Sequence, residues 1–167
     1  MRTKQTIAVI GATGNRGATI SKSLSKGNYR LLLCANEQKK VRTLAREIKA
    51  DNLSGEVEEM DCKVEASWEA DIIILAVPLK AEKEVAERIR EMANQKVVIS
   101  IAGSLNNSYN GLVSAAEELQ KLLPNSKVVK AFDTTLADTF IVGNDNEALQ
   151  TVAELAATSN QKNLNQK

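Results

Sequence analysis

The chain has 167 residues, which is enough for one domain with a hydrophobic core. Its 22 basic and 21 acidic side chains leave a net charge of +1, and only 3% of the residues are aromatic, so neither a nucleic-acid-binding surface nor a membrane-binding surface is predicted. The sequence contains no histidine, which excludes His-dependent catalytic triads and the usual zinc sites, and we predict no metal site.

The first predicted elements are a strand, a tight turn and a helix. Residues 6–10 form an apolar run, Gly11, Gly14 and Gly17 follow at intervals of three, and residues 18–25 suit a helix. This order allows the backbone to approach a dinucleotide pyrophosphate and directs the N–H groups of a helix N-terminus at it. The spacing is one residue longer than G-x-G-x-x-G, although its final G-x-x-G is intact. The alternative is a glycine-rich turn that binds no ligand.

Strands and helices are predicted to alternate along the rest of the chain. The further predicted strands are residues 29–34, 56–60 (near a sheet edge), 71–77, 96–101, 127–132 and 140–143. The further predicted helices are residues 38–49, 81–92, 112–123 and 146–157, with a possible helical turn within 62–69. This pattern predicts an α/β fold with a doubly wound parallel sheet in three α/β/α layers, the Rossmann NAD(P)-binding fold. We expect residues 1–158 to form a single dinucleotide-binding domain and residues 159–167 to be a polar, disordered tail.

Ligands of such sheets bind beyond the carboxyl ends of the strands. The candidate functional segments are therefore residues 11–17, 35–37, 77–80, 100–104 and 132–140.

The two cysteines, Cys34 and Cys62, lie far apart in the sequence and form no C-x-x-C motif. This usage is typical of free thiols in a reducing compartment. The polar N-terminus does not have the pattern of a signal peptide, and no apolar run reaches the ~18 residues of a membrane span. We therefore expect a cytoplasmic protein.

Three segments together resemble one family. They are the turn Gly-Ala-Thr-Gly-Asn-Arg-Gly at 11–17, the strand and proline at 71–78, and Val-Val-Lys-Ala-Phe-Asp-Thr at 128–134. Their order and spacing over residues 5–157 resemble the deazaflavin (coenzyme F-420)-dependent NADP oxidoreductases, whose layout the ferric-reductase domains of the STEAP type share. The first turn alone would also suit an NmrA-like protein or a short-chain dehydrogenase. The Tyr-x-x-x-Lys pair of short-chain reductases is absent, because Tyr29 and Tyr109 are followed four residues later by Leu33 and Val113.

The resemblance implies that the first turn contacts the pyrophosphate of NADP and that Gly17 packs the helix against the sheet. The implied contacts are Gly11, Thr13, Gly14, Asn15 and Arg16. The family's Ser-Arg pair, which binds the 2′-phosphate, is replaced here by Ala35-Asn36, with Glu37 next. Asn36 and Glu37 are thus further candidate contacts. Either Glu37 binds the ribose hydroxyls of NAD, or Lys39, Lys40 or Arg42 supplies the missing positive charge for NADP.

The resemblance also implies a nicotinamide side and an acceptor side. Val77, Pro78 and Ala102 are predicted beside the nicotinamide, although Pro78 is equally explained as the end of a strand. Phe132, Asp133 and Thr134 are predicted on the acceptor side, although Asp133 is equally suited to cap the following turn. We predict no catalytic acid or base, because in this family the cofactors supply the hydride chemistry and the protein aligns them.

The first functional hypothesis is an NAD(P)-dependent oxidoreductase that transfers hydride between nicotinamide and a flavin-like or deazaflavin-like acceptor. The alternative is a non-catalytic NAD(P)-binding Rossmann protein, either a redox sensor or a subunit whose partner completes the acceptor pocket. The polar sequence after residue 158 favours the alternative, because relatives continue there with a segment that shapes the acceptor pocket and often the dimer. A homodimer or a partner chain is therefore also expected.

Overall fold

A seven-stranded sheet with helices on both faces forms the fold. The computed structural model describes residues 4–52, 55–102, 109–132 and 140–164. The strands are β1 (Gln5–Ile10), β2 (Tyr29–Cys34), β3 (Glu56–Glu59), β4 (Ile72–Leu75), β5 (Val97–Ser100), β6 (Lys127–Phe132) and β7 (Phe140–Gly143). The helices are α1 (Asn15–Ser25), α2 (Gln38–Asp51), α3 (Lys63–Glu69), α4 (Leu79–Ile89), α5 (Tyr109–Leu122) and α6 (Asn146–Leu164).

The strand order is β3-β2-β1-β4-β5-β6-β7, and every pair from β3 to β6 is parallel. Ile7 of β1 lies opposite both Leu31 of β2 and Ile72 of β4. The chain thus winds outward from β1 in both directions, which creates a topological switch point at the carboxyl ends of β1 and β4. The predicted doubly wound fold is confirmed, and β3 occupies the sheet edge as expected.

The last strand departs from the predicted parallel sheet. β7 pairs antiparallel with β6, with Lys130 opposite Val142. A parallel connection needs a crossover of a dozen or more residues, usually a helix, and residues 133–139 are too few to supply one. The prediction of a wholly parallel sheet is therefore wrong for β7.

Both faces of the sheet are buried. One set of side chains, which includes Ile7 and Val9, packs against α1, α2 and α6, whereas the alternate set, which includes Ala8 and Ile10, packs against α3, α4 and α5. Successive side chains of a strand point to opposite faces, so continuous apolar runs such as β1 contribute to both layers of the core. Helices therefore cover both faces of the sheet, which confirms the predicted three-layer α/β/α arrangement.

Two element boundaries near the first turn and the β4–α4 connection differ from the sequence prediction. α1 begins at Asn15 rather than at residue 18, because the extended backbone of Gly14 caps it and the Ala18 N–H donates to the Gly14 carbonyl at 2.8 Å. β4 ends at Leu75 rather than at residue 77, so Val77 and Pro78 belong to the turn before α4.

The last helix is longer than predicted. α6 continues to Leu164 instead of ending at residue 157, so residues 159–164 are helical and not a disordered tail. This segment has no apolar pattern, which is why the sequence suggested an end, but it also has no proline or glycine to stop a helix, and its Gln, Lys and Leu residues favour one.

Candidate functional site

The turn after β1 is fixed to the neighbouring strand by its backbone. The N–H groups of Gly11 and Ala12 both donate to the carbonyl oxygen of Cys34, at 2.9 and 3.0 Å. Gly11 has a φ of +88°, and a Cβ there would overlap the carbonyl oxygen of Ala76. Glycine is therefore required at position 11 by both backbone conformation and space.

The other two glycines of the turn differ in what surrounds them. A Cβ on Gly17 would overlap the carbonyl oxygen of Gly11, so α1 packs directly on the turn. Among the described residues, a Cβ on Gly14 would meet only that same oxygen, at an ordinary 3.6 Å, and Gly14 is exposed. The packing of the described residues thus accounts for the glycines at positions 11 and 17 but not for the one at position 14, which is exposed.

The N-terminus of α1 emerges at this open position. The N-cap residue Gly14 provides no side-chain cap for the first turn of α1, and the turn contains no acidic residue. The first N–H groups of a helix have no partner within the helix, and the helix dipole places partial positive charge there. The local chemistry therefore suits an anion beside Gly14.

A cleft of about 530 Å³ crosses the carboxyl ends of β1, β2 and β4. Its volume lies in the range of ~300–1,000 Å³ that is typical of small-molecule sites. The predicted site residues that line it are Gly11, Thr13, Gly14, Asn36, Glu37, Val77 and Pro78. The structure thus brings residues from three of the predicted segments to one surface.

The remaining predicted residues do not line this cleft. Gly17 is buried against the turn, and Asn15 is exposed on α1. The Arg16 Nη1 donates to the carbonyl oxygen of Ile101 at 2.8 Å, beside the buried Ala102.

The acceptor-side predictions fall at the margin of the structure. Phe132 is the last residue of β6, and Asp133 and Thr134 lie outside the described residues.

Three charged residues of the cleft were missed from the sequence. Asp61 and Lys63 line it from the segment after β3, and Glu84 lines it from α4. β3 is short and carries three glutamates, so its carboxyl end was not included among the candidate segments. A parallel edge strand ends at the same sheet edge as its neighbours, and this rule would have identified Asp61 and Lys63.

A second cavity, of about 300 Å³, opens between α1 and α2. It is lined by Thr13, Ala18, Lys22, Lys39, Lys40, Thr43, Leu44 and Glu47, and Thr13 also lines the main cleft. The Nζ of Lys40 lies 3.2 Å from the Glu37 Oε1, whereas Arg42 pairs with Glu59 at 3.6 Å and does not line the cavity. Of the three cations considered from the sequence, Lys39 and Lys40 thus line this second cavity, which adjoins the cleft at Thr13.

A buried ionic cluster lies between β5, β6 and α4. The Nζ of Lys130 donates to the Ser100 Oγ at 2.9 Å and lies 3.7 Å from the Glu82 Oε1, and the Ser100 Oγ donates to the Glu82 Oε2 at 2.7 Å. Lys130 and Ser100 are fully buried. Burial lowers the pKa of Lys130, Glu82 opposes this by stabilising the cation, and Arg16 adds to the lowering. This cluster was not predicted from the sequence; the signal that could have indicated it is Lys130, a charged residue within the apolar strand β6.

The structure adds two negative findings for the part of the chain that it describes. There, no group of three or more His, Cys, Asp or Glu residues is arranged to hold a metal ion. Among the same residues, no helix combines the length and the hydropathy that are needed to cross a membrane.

Comparisons with known proteins agree with this geometry. The family described as "NADP oxidoreductase coenzyme F420-dependent" matches residues 6–104, more than half of the chain. The F420-dependent NADP reductase of Methanocaldococcus jannaschii is 26% identical over 90% of this chain and 78% of the relative. The chain is also similar to the reductase of Methanothermobacter thermautotrophicus, at 24% identity over 90% of this chain and 75% of the relative.

Solved structures show the same fold. A structure described as an F420-dependent NADP reductase from Arthrobacter sp. FB24 has a TM-score of 0.75 at 20% identity, covering 93% of this chain and 80% of that one. A pyrroline-5-carboxylate reductase from Coxiella burnetii has a TM-score of 0.71 at 17% identity, covering 94% of this chain and 57% of that one. The fold predicted from the sequence is confirmed by these similarities.

Proposed function

We propose that this chain, which belongs to the family of coenzyme F420-dependent NADP oxidoreductases, is an enzyme that transfers hydride between NADP and a flavin-like or deazaflavin-like acceptor. The family is one of NADP-dependent oxidoreductases, and the acceptor is the specific part of the proposal. The observation that carries it is the open space at Gly14, beside the uncapped N-terminus of α1 and within a cleft of sufficient volume.

The residues of the cleft fit a dinucleotide. No neighbour of Gly14 in the described ranges excludes a side chain, so its glycine is explained by the close approach of a pyrophosphate to the backbone. Gly11 and Thr13 line the cleft beside Gly14, and Asn15 and Arg16 form the first turn of α1. We infer that this segment binds the pyrophosphate of NADP.

We further infer that the chain prefers NADP to NAD. Glu37 occupies a position where a carboxylate can bind the ribose hydroxyls of NAD, but its Oε1 is 3.2 Å from the Nζ of Lys40. Lys39, Lys40 and Thr43 line the adjoining cavity, which meets the main cleft at Thr13. Two ammonium groups and two hydroxyl groups are suitable partners for a 2′-phosphate. The curated relatives compared above are named NADP reductases, which supports the same preference.

The nicotinamide half of the site is assigned to the turn before α4. Val77 and Pro78 line the cleft there, and Ala102 follows the neighbouring strand β5. Phe132, Asp133 and Thr134, at and after the end of β6, remain our proposed acceptor side. Bound nicotinamide and acceptor rings supply the hydride chemistry, and the residues of this chain contribute binding and alignment.

An acceptor screen tests the proposed activity. NADPH is mixed with the protein and with FMN, FAD or a deazaflavin, and the loss of NADPH absorbance is followed. We expect turnover with at least one of these acceptors, and Gly14→Val is the control that should abolish it. Tight NADPH binding without turnover on any acceptor would contradict the proposed activity and would support the binding-only alternative.

We also propose that residues 1–158 form a single dinucleotide-binding domain. The two core clusters share the same sheet, so heat unfolding should be one cooperative transition that NADPH shifts as a whole. Two separated transitions, with only one shifted by NADPH, would contradict this proposal.

A further inference from the structure

The ionic cluster of Lys130, Ser100 and Glu82 connects three segments of the structure. Ser100 is the last residue of β5, Lys130 lies within β6, and Glu82 lies in the first turn of α4. All three residues are at least about nine-tenths buried, with Glu82 only 5% exposed. Each member of the cluster contacts both of the others, since Ser100 bridges Lys130 and Glu82 by hydrogen bonds and the two charges lie 3.7 Å apart.

Glu82 links this cluster to the cleft through α4. Its N–H donates to the carbonyl oxygen of Pro78 at 3.2 Å, so the two residues are one helical turn apart. Pro78, Ala81 and Val85 line the cleft, whereas the Glu82 carboxylate is buried against β5. The same turn of α4 thus has one face on the cleft and the other held by the cluster.

Ser100 links the cluster to the first turn of α1. The next residue, Ile101, donates its N–H to the Leu75 carbonyl at 3.1 Å and accepts from the Arg16 Nη1 at 2.8 Å. A continuous series of contacts therefore runs from Arg16 through Ile101 and Ser100 to Glu82. It joins the turn that we assign to the pyrophosphate with the turn that we assign to the nicotinamide. At the Arg16 end the acceptor is the backbone carbonyl of Ile101, whose N–H is bonded to Leu75, so this end does not depend on the side chains of the cluster.

Stability alone is a weak explanation for such a cluster. Removing two charges from water costs as much as their attraction returns in many proteins, and apolar residues of similar volume are often as stable or more so. A cluster of this kind can instead specify one arrangement of the segments that it connects, because each of its bonds requires a particular distance and direction.

We propose that Lys130, Ser100 and Glu82 are positioning residues that hold the β4–α4 turn against the end of β5 and thereby set the orientation of the nicotinamide ring in the cleft. This inference rests on the proposed function. It concerns only the nicotinamide half, since within the described part of the chain the hydrogen bonds and ion pair of the cluster involve none of the residues assigned to the adenosine half. Loss of the cluster is therefore expected to affect one half of the ligand and not the other.

The test replaces the whole cluster with apolar residues. The variant Lys130→Met/Ser100→Ala/Glu82→Met leaves no buried charge without a partner, so its melting temperature should remain close to that of the wild type. Two ligands are titrated, NADP⁺ and 2′-phospho-ADP-ribose, which lacks the nicotinamide. The enhancement of NADPH fluorescence on binding is recorded as a direct report on the nicotinamide ring.

Two further variants make the comparison decisive. Ser100→Ala alone removes the bridging hydroxyl with the smallest structural change, which provides a readout if the triple variant does not fold. Lys96→Met is the matched control, because the Nζ of Lys96 also bonds two acceptors, the carbonyls of Ser67 and Trp68 at 2.5 and 2.6 Å, but lies before β5 at the opposite end of the sheet.

We expect the triple variant to bind 2′-phospho-ADP-ribose as the wild type does, to bind NADP⁺ about tenfold more weakly, and to lose most of the NADPH fluorescence enhancement. Ser100→Ala should show the same pattern to a smaller extent, and Lys96→Met should show neither change. Equal effects on both ligands, or none on either, would overturn the positioning role while leaving the proposed function intact. A wild-type protein that binds neither ligand would overturn the proposed function, and the inference with it.

Discussion

Gly17, in the first turn of α1, packs directly against the carbonyl oxygen of Gly11 at the end of β1. The space between the two backbones is too small for a Cβ at position 17, and the φ of +88° at position 11 disfavours any side chain there. The strand, the turn and the helix therefore form one rigid unit. Gly14 lies between these two glycines and donates its N–H to the same Gly11 carbonyl at 3.2 Å, but a Cβ at position 14 would overlap neither backbone.

Replacing Gly17 or Gly11 by alanine should destabilise the protein. Each new Cβ would overlap a backbone carbonyl, the one of Gly11 or the one of Ala76, and backbone atoms move only with the strands that carry them. We expect a loss of about 3 kcal/mol in the free energy of unfolding, or roughly 6–12 °C in Tm. Urea unfolding and calorimetry measure both quantities, and an unchanged Tm in either variant would contradict the close packing.

Gly14→Val should weaken the binding of NADPH without destabilising the protein. The backbone of Gly14 is extended, with a φ of −70° and a ψ of 166°, which valine adopts readily, and among the described residues an added Cβ would meet only the Gly11 carbonyl oxygen, at 3.6 Å. We therefore expect an almost unchanged Tm, together with a loss of at least about tenfold in NADPH affinity, or ~1.4 kcal/mol, because the side chain occupies the space of the pyrophosphate. Retained affinity in a folded variant would remove the turn from the binding site.

The double variant Lys39→Gln/Lys40→Gln should lower the affinity for NADPH about tenfold and leave that for NADH unchanged. Both lysines line the cavity that adjoins the main cleft, and neutral side chains cannot form charge-assisted bonds with a 2′-phosphate. Arg42→Gln is the matched control, because Arg42 pairs with Glu59 and lies outside the cavity. If Arg42→Gln lowered the affinity for NADPH more than the double variant does, the 2′-phosphate would instead be assigned to the side of Arg42 and Glu59, near β3.

Cys34 should be an unreactive thiol, since burial raises its pKa to about 12. Cys62 and Asp61 raise this pKa further, each by less than burial does, whereas Lys63 lowers it. Iodoacetamide should therefore label the partly exposed Cys62 first in the native protein. Labelling of Cys34 at the same rate as Cys62 would show that the carboxyl end of β2 is accessible.

The raised pKa of Cys34 also gives a pH dependence of stability. The unfolded thiol loses its proton near pH 8.5, whereas the folded one retains it, so the unfolded state binds fewer protons at higher pH. The stabilising contribution is complete below that pH and is lost progressively as the pH rises towards 12. Cys34→Ala should unfold with a shallower dependence on pH between about pH 8.5 and 10.

Much of the fold was predictable because its signals are local. Val41, Leu44, Ala45 and Ile48 recur at helical spacing within the predicted helix 38–49, and all four are buried on one face of α2. The glycines after β1 likewise predicted the turn. The exact start of α1 at Asn15 was not predictable from the sequence pattern, since it depends on the extended backbone of Gly14 and on the packing of Gly17.

The features that the sequence did not reveal depend on contacts between distant segments. Glu82 and Lys130 are far apart in the chain. In the sequence, Glu82 resembles a surface charge of a helix, and Lys130 is a single charged residue in an otherwise apolar strand. Only the order of β5 and β6 and the position of α4 bring them within 3.7 Å. The antiparallel pairing of β7 is similar, because it follows from the length of a connection and not from the strand's own residues.

Calorimetric titration of the purified protein with NADPH and with NADH tests the central claim most directly. The open position at Gly14, the uncapped α1 and the adjoining lysines predict micromolar binding of NADPH and binding of NADH at least about tenfold weaker. Tighter binding of NADH would contradict the assignment of Lys39 and Lys40 to a 2′-phosphate. The absence of binding for both nucleotides would contradict the cleft as a dinucleotide site.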